Sequence, residues 1–184
     1  MQSFGNPRLD PDEANLKRLY KAENYAGMLK VVKDHLRMPV RLTLGLHNND
    51  DEGPRGAPAW LQRMGEVPLY GTQALGEYRA IVYIRRSFIS RTYFEALVLV
   101  MAHEISHLVL HSTRHSLRNR EEAVDLTAML LGYRSFYVWH TGASLRGGAI
   151  GWALTWLNDS FRDRPRYGYL SFDEIRYAAR LMQT

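Results

Sequence analysis

The chain has no cysteine in its 184 residues. That excludes disulfides, thiolate metal ligands and a cysteine nucleophile, and it fits a reducing compartment, so a cytoplasmic location is expected. Lysine stops early: Lys17, Lys21, Lys30 and Lys33 are the full set, and arginine carries the remaining positive charge. The formal net charge is +5, but the basic residues are spread along the chain. They read as an arginine-rich solvated surface before they read as a nucleic-acid footprint. The densest group, Arg162, Arg164 and Arg166, is interleaved with Asp163 and Pro165, as in a loop. No unbroken apolar run reaches the roughly 20 residues that cross a bilayer, so no membrane span is expected. The start, "MQSFGNPRLDPDEANLK", has no basic stretch followed by an apolar one, so no secretory leader is expected either. Repeats and low-complexity tracts are missing too.

What remains is an ordinary globular composition, 46% hydrophobic and 23% charged. It suits one domain over 1–184, with an N-terminal helix and sheet (10–88), a central helical part (92–139) and C-terminal helices (148–183). Asp10-Pro11-Asp12-Glu13 reads as a helix start with a capping box, opening a helix to about His35. "VRLTLGLH", 40–47, alternates as a strand does, and "YRAIVYIRRSF", 78–88, is the clearest strand. "NNDDEGPRGAP" is a loop, and "AWLQRM" and "EVPLYG" are ambiguous. Thr92 with Glu95 suggests a second capping box, before a helix over 93–111. A further long helix is expected from about 120 to 138. "TGASLRGG" reads as a glycine-rich connection, "AIGWALTWLND" as a short apolar helix, and Ser171 with Glu174 as a third capping box before a last helix. The fold class is α+β. The four tryptophans, Trp60, Trp139, Trp152 and Trp156, are expected in the core.

The helix over 93–111 is apolar nearly all round, yet it carries His103, Glu104 and His107. Ionisable side chains are costly to bury without partners. On a helix, residues four apart stand one above the other, so His103 and His107 can share one metal ion. Glu104 lies beside them, where it can act as general base toward a metal-activated water. A catalytic zinc takes three protein ligands and leaves one position open. His111 continues the spacing but stands ~12 Å from His103 along the helix axis, too far to share the ion. The next helix, "REEAVDLTA", is the better source. Glu121 is the leading third ligand, with Glu122 and Asp125 as alternatives. Asp125 can otherwise accept the free ring N–H of a ligand histidine. The bland alternative for these acids is a solvated helix start. His115, Tyr133, Tyr137 and His140 are oxyanion-stabilising candidates by residue type alone.

"HEISHLVLH" with "EEAVDLTAMLLG" resembles the gluzincin metallopeptidases, HExxH zincins whose third ligand comes from a following helix. It is similar in particular to the compact cytoplasmic zinc peptidases of the ImmA/IrrE type, and also to integral-membrane Ste-type proteases, which the missing spans set aside. "GYLSFDEIRYAARL" resembles a tail of uncharacterised bacterial zincin-like proteins, with no role attached. In these families the Glu four residues before the Asp or Asn is the third ligand, which implies Glu121. The resemblance implies a zincin-like fold, with a small mixed sheet and an active-site helix packed against the second ligand helix. It also implies that an edge strand over the active-site helix pairs with an extended peptide substrate; residues 79–86 are the strand expected there. The match covers 79–132. It departs at Val124, where Ala is usual, and at Leu126-Thr127-Ala128, where Phe-Ala is common. The expected activity is that of a zinc metalloendopeptidase with one zinc per chain. The alternatives are a catalytically silent zincin-fold binding or regulatory protein, and a basic nucleic-acid-associated protein with a structural metal.

Overall fold

In the computed structural model the described residues are 10–48, 53–54, 56–140 and 169–182, with only the backbone of Trp139, His140 and Phe172. The expected loop at 141–148, the short apolar helix after it, the Arg162–Arg166 group, Trp152 and Trp156 lie outside them. The elements in order are α1 (Glu13–Lys21), α2 (Tyr25–His35), β1 (Arg41–His47), β2 (Ala59–Arg63), α3 (Gln73–Glu77), β3 (Arg79–Arg85), α4 (Arg86–Ile89) and α5 (Phe94–Ser112). Then come α6 (Glu121–Ala128), a wide turn at Met129–Tyr133, α7 (Arg134–His140) and α8 (Phe172–Leu181). The class is α+β, with a three-stranded mixed sheet.

The single N-terminal helix expected from Asp10 to His35 is two. Asp12, not Asp10, caps α1, its side chain accepting from the Asn15 N–H. Glu23 then takes φ +52°, which a helix cannot continue, and the Asn24 side chain caps α2 at the Gly27 N–H. Thr92 does not cap α5: Tyr93 is the N-cap residue, and the Thr92 hydroxyl is buried without a hydrogen-bond partner. At the C-terminal end the Ser171–Glu174 capping box forms in both directions.

The strand order is β1-β3-β2. β1 runs parallel to β3 from Arg41↔Arg79 to His47↔Arg85, and β2 runs antiparallel to it from Ala59↔Ile84 to Arg63↔Ala80. The strand expected at the edge, 79–86, is therefore the middle one, paired on both sides. Its near-continuous apolar run is what a central strand carries, since neighbours cover both its flanks. The edge beside α5 belongs to β2, which is short and ends in Gln62 and Arg63, as exposed edges do. The Arg85 N–H donates to the Pro58 carbonyl at 3.0 Å. Counting along the register, Trp60 and Gln62 exchange bonds with β3, while residues 59, 61 and 63 turn their N–H and C=O groups outward.

Ala80, Val82 and Ile84 on the inner face are buried in the same core cluster as Leu97, Met101, Ile105 and Leu108 of α5, which are fully enclosed. α2 packs on α5 and β1, and α6 and α7 cover the far side of α5. By length and composition α5 could cross a membrane, but 78% of its apolar window is buried inside this chain.

Candidate metal centre

α5 holds its polar groups where the core opens toward α6. The chain reverses through residues 113–120, with the His115 N–H closing on the Leu110 carbonyl at 3.0 Å and Arg114 at φ +54°. The reversal lays the first turn of α6 against the middle of α5. The His103 and His107 rings stand 5.0 Å apart. His103 Nε2 lies 3.1 Å from Glu121 Oε2, and His107 Nε2 lies 3.4 Å from the same oxygen. One ligand atom from each of the three residues falls within 4.8 Å of the other two. Glu122 points elsewhere, pairing with Arg120 at 3.3 Å. Of the two adjacent acids, Glu121 is the one brought to the histidines.

Asp125, one turn along α6, is completely buried. Its Oδ1 meets His103 Nδ1 at 2.8 Å and accepts from the Tyr137 hydroxyl at 2.8 Å. Its Oδ2 accepts from the Tyr169 N–H at 2.6 Å and the Leu170 N–H at 3.3 Å. Burial alone would raise its pKa, but His103, the Tyr169 N–H and Tyr137 together hold it below the ordinary carboxylate value. Asp125 thus fixes the ring of His103 with Nε2 aimed at Glu121.

The electrostatics suit a cation. Burial works against a charge on His103, yet hydrogen bonds to Asp125 and Glu121 overcome it and raise the pKa to about 10. Burial, then repulsion by His103, drives His107 down to about 4. The carboxylates thus draw one positive charge into the cluster. Two imidazole nitrogens, one carboxylate oxygen and a ring held from behind fit a divalent metal of the zinc type. Glu104 lies next to this set but is not part of it. It is 7% exposed, and burial raises its pKa to about 7, with the Leu61 backbone N–H among the opposing influences. That N–H is one of the outward-turned groups of β2.

The other sequence candidates lie elsewhere. Both ring nitrogens of His111 face the Arg63 guanidinium, at 2.7 and 3.0 Å. His115 accepts from the Leu117 N–H on the surface. Tyr133 is buried, reaching the Val32 carbonyl at 3.5 Å. Tyr137 reaches the site, but as a partner of Asp125, and the His140 side chain lies outside the described structure. Sequence reasoning missed Tyr169. Its ring stacks on His103, with centroids 5.8 Å apart and planes 25° apart, while 61% of the residue stays exposed. The only signal was its place in the tail motif "GYLSFDEIRYAARL".

No protein-family model matches the chain, and neither a curated protein nor a solved structure matches it.

Proposed function

We propose that this protein is a zinc-dependent metallopeptidase of zincin-like fold acting in the cytoplasm. The observation that carries the reading is the convergence of His103, His107 and Glu121 beside a buried glutamate that is not a ligand. A purely structural metal has no use for Glu104. His103 and His107 would bind through Nε2 and Glu121 through a carboxylate oxygen, with Asp125 fixing the first ring. Zinc would supply a Lewis acid and lower the pKa of water. Glu104, with a pKa raised to about 7, is suited to take a proton and return it near neutral pH. Among the described residues no strand pairs with the outer side of β2, and that edge passes Glu104 at Leu61, whose N–H meets the Glu104 carboxylate. An extended peptide can therefore add to the sheet there, as peptides add to exposed edges. That edge takes the place of the strand at 79–86.

The test is metal content by elemental mass spectrometry, with Glu104→Gln beside the wild type. About one zinc per chain is expected in both, as a three-ligand site requires. Peptide hydrolysis should fall by at least about a hundredfold in Glu104→Gln, as loss of a general base implies. Wild type that takes up no zinc even after incubation would sink the reading. Equal hydrolysis by the two proteins would remove Glu104 from the chemistry.

A further inference from the structure

The outer face of the sheet, away from α5, carries an aromatic platform. Gly45, Tyr83 and Trp60 lie in one row across the three strands. The Tyr83 ring lies against Gly45 so closely that any Cβ there would collide with it. Trp60 stacks on Tyr83, with centroids 5.2 Å apart and planes 23° apart. His47 closes the group, 4.8 Å from Tyr83 and 5.1 Å from Trp60. The Arg85 guanidinium sits 5.2 Å from the Trp60 ring, and donates to the Ala57 and Pro54 carbonyls at 2.7 and 3.1 Å. Gly53, at φ +82°, passes so near that a Cβ would come within 2.7 Å of the indole. These rings are held in place, yet Trp60, expected in the core, stays partly exposed. They border a cleft of 510 Å³ whose lining runs on to Leu61, Gln62 and Arg63 of the open edge.

We infer that this cleft is a specificity subsite that receives an aromatic side chain of a peptide lying along β2; the inference rests on the peptidase reading above. Side chains of an added strand alternate between the two faces of the sheet. A peptide residue opposite Leu61 faces the metal side, beside Glu104. Its immediate neighbour, opposite Trp60, faces the platform. An aromatic ring gains both area and offset or edge-on geometry against Trp60, the outermost ring of the platform, which Tyr83 and His47 hold from behind. The Arg85 guanidinium against Trp60 disfavours a lysine or arginine side chain there. The cleft thus selects the residue next to the one presented to the metal.

The experiment uses decapeptides of alanine, glycine and serine with a single phenylalanine walked along them. An all-small peptide and a lysine-walked set serve as controls. Zinc-loaded wild type is expected to cleave within two residues of phenylalanine. Its kcat/KM should exceed that for the control peptides by about tenfold, as aromatic contact implies. Trp60→Leu should bring that ratio close to one while zinc content is retained. His47→Ala removes a ring that holds Trp60 from 5.1 Å away; it should lower the ratio too, though less than Trp60→Leu, and because it lies on β1 it guards against misfolding of β2. Binding is read separately with zinc-loaded Glu104→Gln, which should hold the phenylalanine peptide more tightly than its Trp60→Leu counterpart does. Cleavage without phenylalanine preference, or a preference that survives both substitutions, overturns the subsite and leaves the peptidase intact. Phenylalanine-dependent binding without wild-type cleavage overturns the peptidase and keeps the cleft. Neither cleavage nor binding overturns both.

Discussion

Asp125 is approached by four hydrogen-bonding partners, and its behaviour follows from that. A buried carboxylate without donors would be neutral; this one is held ionised by a ring, a hydroxyl and two backbone amides. Asp125→Asn removes the charge that orients His103. Zinc affinity, read by competition with a chromogenic chelator, should fall by about 10- to 100-fold, the usual effect of losing such a partner. Tyr137→Phe removes one donor of the four and should cost less, about tenfold or under. Equal affinity in Asp125→Asn and wild type would contradict the role assigned to the carboxylate. At this scale much was legible. His103, Glu104 and His107 lie one, three and four residues apart on one helix and Glu121 and Asp125 four apart on the next, where spacing fixes direction. Tyr137 and Tyr169 reach Asp125 from 12 and 44 residues away, distances at which helical periodicity carries no information.

Among the elements, the break between α6 and α7 matters most to the site. One helix was expected over 120–138. Instead Leu131 takes ψ +16° and Gly132 φ +107°, and α7 turns back. In a straight helix Asp125 and Tyr137 would be ~18 Å apart along the axis; the turn brings hydroxyl and carboxylate to 2.8 Å. Only glycine takes that φ without strain. Gly132→Ala should lower stability by about 1–2 kcal/mol, the cost of a left-handed backbone for a residue with a Cβ, measured by urea denaturation. It should also weaken zinc binding, because Tyr137 rides on the turn. An unchanged midpoint would show that the turn carries no strain there. The glycine was visible in the sequence, but its conformation is a tertiary outcome. The same holds for the sheet. The strands themselves could be read from alternation and β-branched residues, but their order is a matter of non-local pairing, so the central strand was mistaken for the edge. Local signals fared unevenly. Ser171–Glu174 forms its capping box, whereas Thr92–Glu95 does not, because Tyr93 starts the helix instead.

Across the whole molecule the N-terminal helices are tied to the site through the wide turn. His35 on α2 contacts the Leu131 carbonyl through Nε2 at 3.0 Å and meets the Tyr133 ring edge-on at 5.3 Å. Burial pulls its pKa below the ordinary 6.5, against the smaller upward pull of the Leu131 carbonyl. The unfolded chain therefore takes up the proton first. The stability His35 contributes is present above pH 6.5 and is lost as pH falls from there toward the lowered folded value. His35→Gln keeps a donor for the carbonyl and removes the titration. The difference in urea midpoint between wild type and His35→Gln should shrink or reverse below that pH, and a pH-independent difference would refute the linkage. Composition pointed to one core and to a helix too apolar to leave it. It could not say that residues 169 and 170 return to the centre.

That return has a consequence of its own. The amides of Tyr169 and Leu170 are spent on the carboxylate that steers His103, and α8 begins two residues later. Docking of the C-terminal helix and occupancy of the cluster therefore share one free energy. A ligand bound by the cluster would tighten the docking by the same factor as the docking tightens the ligand. The last helix of the chain would in this sense be a reporter: a cation taken up between the two histidines would be felt, from a distance, in its hold on the body of the protein.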